Sequence, residues 1–258
     1  AMLDLALEYP DSISEEEFFQ HYCPPLPPNY EPQHEEPEAI KHMLNLRDFR
    51  INARKNYTQY DWRRHRWAYG RLTEKVDSQI QIILDALNES GEDQNTLVLF
   101  SSDHGDMDGA FRMEHKTALY EEATNVPFMA MWKGSIPAGQ VDSVHLVSSG
   151  LDLLPTLCDY AGVTGRSDPR GRSLRPLMEG KEVAWRRTLG VESEIGWMVV
   201  DENKLKYIRY DVAGNEERLH DLNQDPYETT HFTSDPDYAE KLEQLRKELT
   251  VKWFPHQI

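Results

Sequence analysis

The amino-acid sequence predicts an α/β protein: a parallel sheet flanked by helices, followed by a smaller C-terminal antiparallel α+β subdomain. Three observations carry this expectation. A continuous apolar run, Leu97-Val98-Leu99-Phe100, ends abruptly in Ser101-Ser102-Asp103-His104-Gly105-Asp106. A run without alternation suits a strand covered on both faces. Ahead of it Tyr69, Leu72, Val76, Ile80, Ile83 and Leu87 recur at spacings of three and four, a helical stripe suited to packing on that sheet. Beyond about Trp185 the pattern changes to short strands in succession, the grammar of an antiparallel meander.

Length and composition bound the possibilities. A chain of 258 residues supports one large domain or two unequal ones. The formal net charge is −17, and ten of the acids fall in the first forty residues, which contain no Lys or Arg. Such a balance argues against a nucleic-acid or membrane-surface binder. Two cysteines, Cys23 and Cys158, are too few for a disulfide scaffold. No apolar run approaches a membrane span, and the opening residues do not read as a signal peptide.

Three segments follow: an acidic, Pro-rich lead-in over 1–40, an α/β segment over 41–185 and an α+β segment over 186–258. In the lead-in, Ser12 and Ser14 before Glu15-Glu16-Glu17 predict a short capped helix carrying Phe18 and Phe19. Cys23-Pro24-Pro25-Leu26-Pro27-Pro28 is a stiff extended loop, since proline fixes φ and removes a donor. Residues 41–75 invert the charge, with ten Lys and Arg, among them Arg63, Arg64 and Arg66, and with Tyr57, Tyr60, Trp62, Trp67 and Tyr69 interleaved. A solvated helical face with its aromatics turned inward accounts for this composition, although a polyanion groove would use the same residues. The helix from Tyr69 ends at Gly91, a C-terminal cap. Pro127 to Trp132 reads as the next buried strand, and Asp152 to Ala161 as a helix with Leu153, Leu154, Leu157 and Cys158 inward. Arg187–Val191, Trp197–Val200 and Leu205–Tyr210 are the predicted strands of the last segment, closed by a helix from Asp237 to Trp253, and His220 and His231 read as structural.

The chemistry concentrates at the end of the first strand. Ligands of open α/β sheets bind beyond the carboxyl ends of strands, where Asp103 offers a hard oxygen and His104 a nitrogen. An Asp in that position also serves as a turn-former or cap. Glu114-His115-Lys116-Thr117 then places an ammonium one short loop away. Metal, imidazole and ammonium together suit an anionic, tetrahedral ester.

Ser102-Asp103-His104-Gly105-Asp106, His115-Lys116-Thr117, Leu119-Tyr120-Glu121-Glu122, Val147-Ser148-Ser149-Gly150-Leu151-Asp152 and Leu219-His220-Asp221-Leu222 resemble, in this order, the C-terminal portion of sulfatases, members of the alkaline phosphatase superfamily. The resemblance extends from about Pro24 onward. It implies a partial alkaline phosphatase-like sheet and hydrolysis of a sulfate ester, on a sulfated small molecule or glycan. It implies that Asp103 and His104 are half of a Ca²⁺ site, with Zn²⁺ or Mg²⁺ as lesser alternatives. Lys116 would contact the sulfate, His115 would contact substrate or act as acid, and Thr117 and Tyr120 would fix the loop. A periplasmic or secreted setting is also implied. Two departures stand out. Phe111 occupies a position where related sequences often have histidine. The Cys-x-Pro-x-Arg pattern that yields formylglycine is absent from the 258 residues, Pro27 standing where Cys23 would need its arginine. The formylglycine is therefore expected in a preceding region, and the chain reads as a C-terminal portion with little activity alone. Two other functions are carried forward: a phosphate or phosphonate monoester hydrolase of the same superfamily, and a non-catalytic polyanion-binding module using Lys41 to Lys75.

Overall fold

The computed structural model describes residues 13–165 and 168–255. Asp4, Glu8, Asp11 and Ser12 of the lead-in lie outside them. Helix α1 (Glu15–His21) starts at Ser14, whose hydroxyl accepts the Glu17 N–H at 3.1 Å, and buries Phe18 and Phe19. These rings pack with Cys23 and Trp67, so Cys23 is a buried loop residue. Two short helices, α2 (Glu38–Asn45) and α3 (Asp48–Asn56), lead to the long α4 (Gln59–Ser90). A reciprocal capping box between Thr58 and Asp61 begins α4, and Gly91 ends it at φ 76°, where a side chain would be strained.

The basic stretch is largely spent inside the molecule. Arg63 donates to the carbonyls of Phe19, Cys23 (2.9 Å) and Pro24 (3.0 Å). Arg66 holds Asp108 at 2.9 Å and the Pro25 carbonyl, and Arg64 pairs with Glu15 at 2.7 Å. Proline-rich loops leave backbone acceptors without ladder partners, and these guanidinium groups satisfy them. Trp62 and Trp67 do turn inward, whereas Tyr60 and Tyr69 stay exposed.

Strands β1 (Val98–Ser101) and β2 (Phe128–Met131) pair antiparallel, Val98 opposite Met131 and Ser101 opposite Phe128. The parallel pairing expected from the apolar runs is not made. A parallel return needs a crossover that carries the chain back along the strand. The connection here carries a 3₁₀ turn (Ala110–Arg112) and the four-residue α5 (Glu121–Thr124) but no helix long enough to run back along the strand, and the chain re-enters the sheet antiparallel. Nor are the strands covered on both faces: Met129 is 57% exposed. The α4 stripe likewise stays open from Tyr69 onward, with Ile83 at 67% exposure. Helix α6 (Leu153–Ala161) buries Thr156 rather than Leu153, Leu154 and Leu157, and Cys158 is only half-buried. These apolar positions have the predicted spacing but find no covering layer among the described residues.

After α7 (Arg175–Met178) the expected meander appears as β3 (Thr188–Ser193), β4 (Gly196–Asp201), β5 (Leu205–Tyr210) and β6 (Glu217–Asp221), in that spatial order. The fourth strand, through Leu219-His220-Asp221, was not among the expected ones. The closing helix is segmented into a 3₁₀ turn (Pro236–Tyr238), α8 (Ala239–Lys247) and a π turn (Glu248–Trp253). One side of the sheet packs Val199, Tyr207 and Leu219 against Leu242, Leu245 and Leu249. Met198, Ile208 and Tyr210 share a second core with Met43, Phe111, Leu119 and Tyr120. The meander thus backs the loop that follows Lys116.

Candidate functional site

β1 ends at Ser101, and the chain turns at once so that Asp103 and His104 stand at the strand's mouth. Asp103 Oδ1 accepts the backbone N–H of His104 at 3.0 Å, while its Oδ2 lies 3.3 Å from His104 Nε2. His104 Nδ1 is 2.8 Å from the Gly105 carbonyl. A carbonyl only accepts, so Nδ1 carries the ring proton and Nε2 presents its lone pair. Into that lone pair points Lys116, with Nζ 2.7 Å away. Sequence reasoning placed these three side chains together, and the fold brings them together. Burial works against the Asp103 charge, but the backbone hydrogen bond from the His104 N–H and the nearby Lys116 ammonium help to outweigh it and lower the carboxyl below the ordinary aspartate range.

The Lys116 loop is held in a strained shape. His115 and Thr117 on either side have φ 67° and 97°. Positive φ is a genuine outlier for a β-branched residue and persists only where the surroundings enforce it. Arg50 of α3 donates to Thr117 Oγ1 at 3.3 Å, and Ser193 at the tip of β3 donates to the Thr117 carbonyl at 2.5 Å. Asp106 braces the loop's base, accepting from the Asp108 N–H at 2.8 Å and the His115 N–H at 3.1 Å. Arg50 and Ser193 escaped the sequence reading, and Asp106, quoted within its motif, received no role there, because their partners are backbone atoms and one hydroxyl of a distant loop. Thr117 is thus held both at its hydroxyl and at its carbonyl.

The remaining expected residues are placed as follows. The exposed ring of His115 lies against Phe49 of α3, centroids 4.8 Å apart. Tyr120 is buried, its hydroxyl donating to Gln33 at 3.0 Å, and so ties the loop to the lead-in. Phe111 is a core residue, its ring tilted against Tyr120 with centroids 4.7 Å apart. His220 is fully buried, and His231 faces Glu35 at 3.1 Å.

Among the described residues no group of three or more His, Cys, Asp or Glu side chains converges as a metal cage. Asp103 and His104 therefore offer two donors. Ca²⁺ takes six to eight, so this pair fits part of a coordination shell and no more. Also among the described residues, no helix is long and apolar enough to cross a membrane.

Comparison with known proteins identifies the family. Residues 17–163 match the sulfatase family, and residues 109–253 match the C-terminal region of N-sulphoglucosamine sulphohydrolase. A Delta 4,5-hexuronate-2-O-sulfatase of Bacteroides thetaiotaomicron is 31% identical over 76% of this chain and 43% of its own length. An arylsulfatase of Clostridium perfringens is 35% identical over 69% of this chain and 38% of its own. The chain thus spans about two fifths of the length of these relatives. A solved 2-O GAG sulfatase superposes with a TM-score of 0.78 at 30% identity, covering 88% of this chain and 51% of that one. The likeness supports the α/β class despite the antiparallel pairing of β1 with β2. Sulfatases use a metal and a formylglycine in general. Since the first family match alone runs through more than half of the chain and takes in both site loops, the protein belongs to the sulfatase family.

Proposed function

We propose that this chain supplies the anion-gripping half of a sulfate ester hydrolase that acts on a sulfated carbohydrate. One observation carries the reading: the Lys116 ammonium sits 2.7 Å from His104 Nε2, with Asp103 alongside. Asp103 and His104 would hold a divalent cation, Ca²⁺ in preference to Zn²⁺ or Mg²⁺, and the cation when bound would neutralise charge on the ester's non-bridging oxygens. Lys116, released from His104, would bind one of those oxygens and stabilise the charge that builds as the ester bond breaks. His115, exposed beside Lys116, would contact the organic portion or protonate the departing alcohol. The relatives named for a hexuronate and for a GAG support a sugar substrate, and the family setting supports export. The nucleophile would be the formylglycine of the family, outside the residues described here.

Calorimetry on the purified chain tests the proposal. Ca²⁺ should bind to wild type and fail to bind Asp103→Asn, and an aryl sulfate should bind only with the cation present. Lys116→Ala should weaken aryl sulfate binding about tenfold or more, since a charge-assisted contact is worth roughly 1.5–3 kcal/mol, without changing the melting temperature. Tighter binding of an aryl phosphate, with Zn²⁺ preferred, would move the assignment to the phosphate and phosphonate hydrolases. Turnover of aryl sulfate by this chain alone would refute the assignment of the nucleophile.

A further inference from the structure

Both loops that carry the site rest on α5. On one side Gly105 donates its N–H to the Ala123 carbonyl at 2.9 Å and packs so closely that a Cβ there would lie 1.9 Å from the Glu122 carbonyl oxygen. On the other side the Lys116 loop runs through buried Ala118, Leu119 and Tyr120 straight into α5. A four-residue helix cannot hold itself in place, and its first N–H groups have no partner within it.

The C-terminal sheet supplies what α5 lacks. Glu228, in the segment after β6, accepts the Glu121 N–H at 2.7 Å through Oε2. Its other oxygen lies 2.9 Å from Lys206 Nζ on β5, and Lys206 also donates to Glu121 Oε1 at 3.0 Å. Lys206 is 0% and Glu228 1% exposed, and Glu228 adopts φ 53°. This arrangement is a poor device for stability. It buries an ammonium and a carboxylate, with the part-exposed Glu121 alongside, where desolvation offsets most of the attraction and well-packed apolar residues often serve as well or better. What it does supply is a directed bond to one end of α5 from the rigid meander.

We propose that Lys206 and Glu228 are positioning residues that set the separation between the Asp103–His104 turn and Lys116 by fixing α5, although neither touches those three side chains. The inference rests on the reading of Asp103, His104 and Lys116 as one site.

The test uses the whole chain and four variants: Lys206→Met, Glu228→Gln, Glu228→Asp, and Arg246→Met as a control. Arg246 pairs with Glu217 in the same subdomain, so its loss costs stability away from α5. Three quantities are read: the ¹⁵N shifts of the His104 ring, which report the Lys116 contact, the Ca²⁺ dissociation constant, and the melting temperature. Lys206→Met and Glu228→Gln should move the His104 Nε2 signal toward that of an unbonded imidazole and weaken Ca²⁺ about tenfold, the low end for loss of an outer partner. Glu228→Asp, which keeps the charge and the fold, should give a smaller shift in the same direction. Arg246→Met should lower the melting temperature and leave the His104 signal in place. Unchanged His104 signals in the Lys206 and Glu228 variants, or an equal shift in Arg246→Met, would overturn the positioning role. Failure of wild type to bind Ca²⁺ would instead count against the site reading, while the His104 signal would still decide the positioning role.

Discussion

The buried pair His220 and Glu228 should give this protein two opposed acid responses that nearly cancel, and substitution should expose each of them. His220 on β6 pairs in register with Lys206 on β5 and is 0% exposed. Burial, then the Lys206 ammonium, pushes its pKa down to about 3 from an ordinary 6.5. Nδ1 donates to the Thr230 carbonyl at 2.8 Å, and Nε2 has no hydrogen-bond partner among the described residues. As pH falls below 6.5 the unfolded chain takes up a proton that folded His220 refuses, so its contribution to stability drains away toward pH 3. Glu228 behaves oppositely. Burial raises its carboxyl to about 7, against the pull of Lys206, from an ordinary 4.5. Between those values the folded form keeps a proton that the unfolded form has lost, so stability falls as pH rises and returns as pH drops. Linkage makes each effect about 2 kcal/mol between pH 7 and pH 5, with opposite signs. Chemical denaturation at pH 7, 6 and 5, followed by the fluorescence of buried Trp62, Trp67 and Trp197, measures both. His220→Asn retains a donor toward the Thr230 carbonyl, and relative to wild type it should gain about 2 kcal/mol on acidification over that range. Glu228→Gln should lose about as much. Comparison with wild type cancels every other titrating group, so parallel pH curves for wild type and either variant would refute the reasoning.

Two other substitutions probe the frame of the site. Gly105→Ala sets a methyl 1.9 Å from the Glu122 carbonyl oxygen, and that carbonyl belongs to the backbone of α5. It should cost about 1–3 kcal/mol by overpacking and weaken Ca²⁺ binding, as thermal melts and calorimetry would show. Arg63→Met removes the donor shared by the Phe19, Cys23 and Pro24 carbonyls. The cost should be about 1–3 kcal/mol for acceptors left unpaired, with faster proteolysis of the lead-in. Neutralising Arg63, Arg64 and Arg66 together should leave heparin retention unchanged, because these groups are engaged within the chain. A large loss of retention would revive the polyanion-binding alternative.

Local chemistry was readable wherever its signal is local. Ser14 and Gly91 delimit helices because caps and left-handed turns depend on a few adjacent residues, whereas the start of α4 at Thr58, ahead of the expected Tyr69, was missed. The three strands read from Arg187 to Tyr210 appeared close to their expected bounds because alternation and turn residues suffice for a meander. The Asp103, His104 and Lys116 grouping was visible as motifs in order, and the fold brings those side chains into contact. Burial was misjudged for the α4 stripe, β1, β2 and α6. Apolar spacing shows which face could be covered, but not whether a covering layer is at hand.

The helices α1 and α6, the first three strands of the meander, the caps at Ser14 and Gly91, the ligand types and the family resemblance were determined by the sequence alone, since each depends on residues close together in the chain. Only the tertiary structure decided that β1 and β2 run antiparallel, that Thr117 is clamped by Arg50 and Ser193, and that Lys206 and Glu228 reach across to cap α5. Those contacts join residues up to 107 positions apart. No short-range pattern encodes such pairings, because they arise when separate elements pack and bring their unsatisfied backbone groups and buried charges to one place.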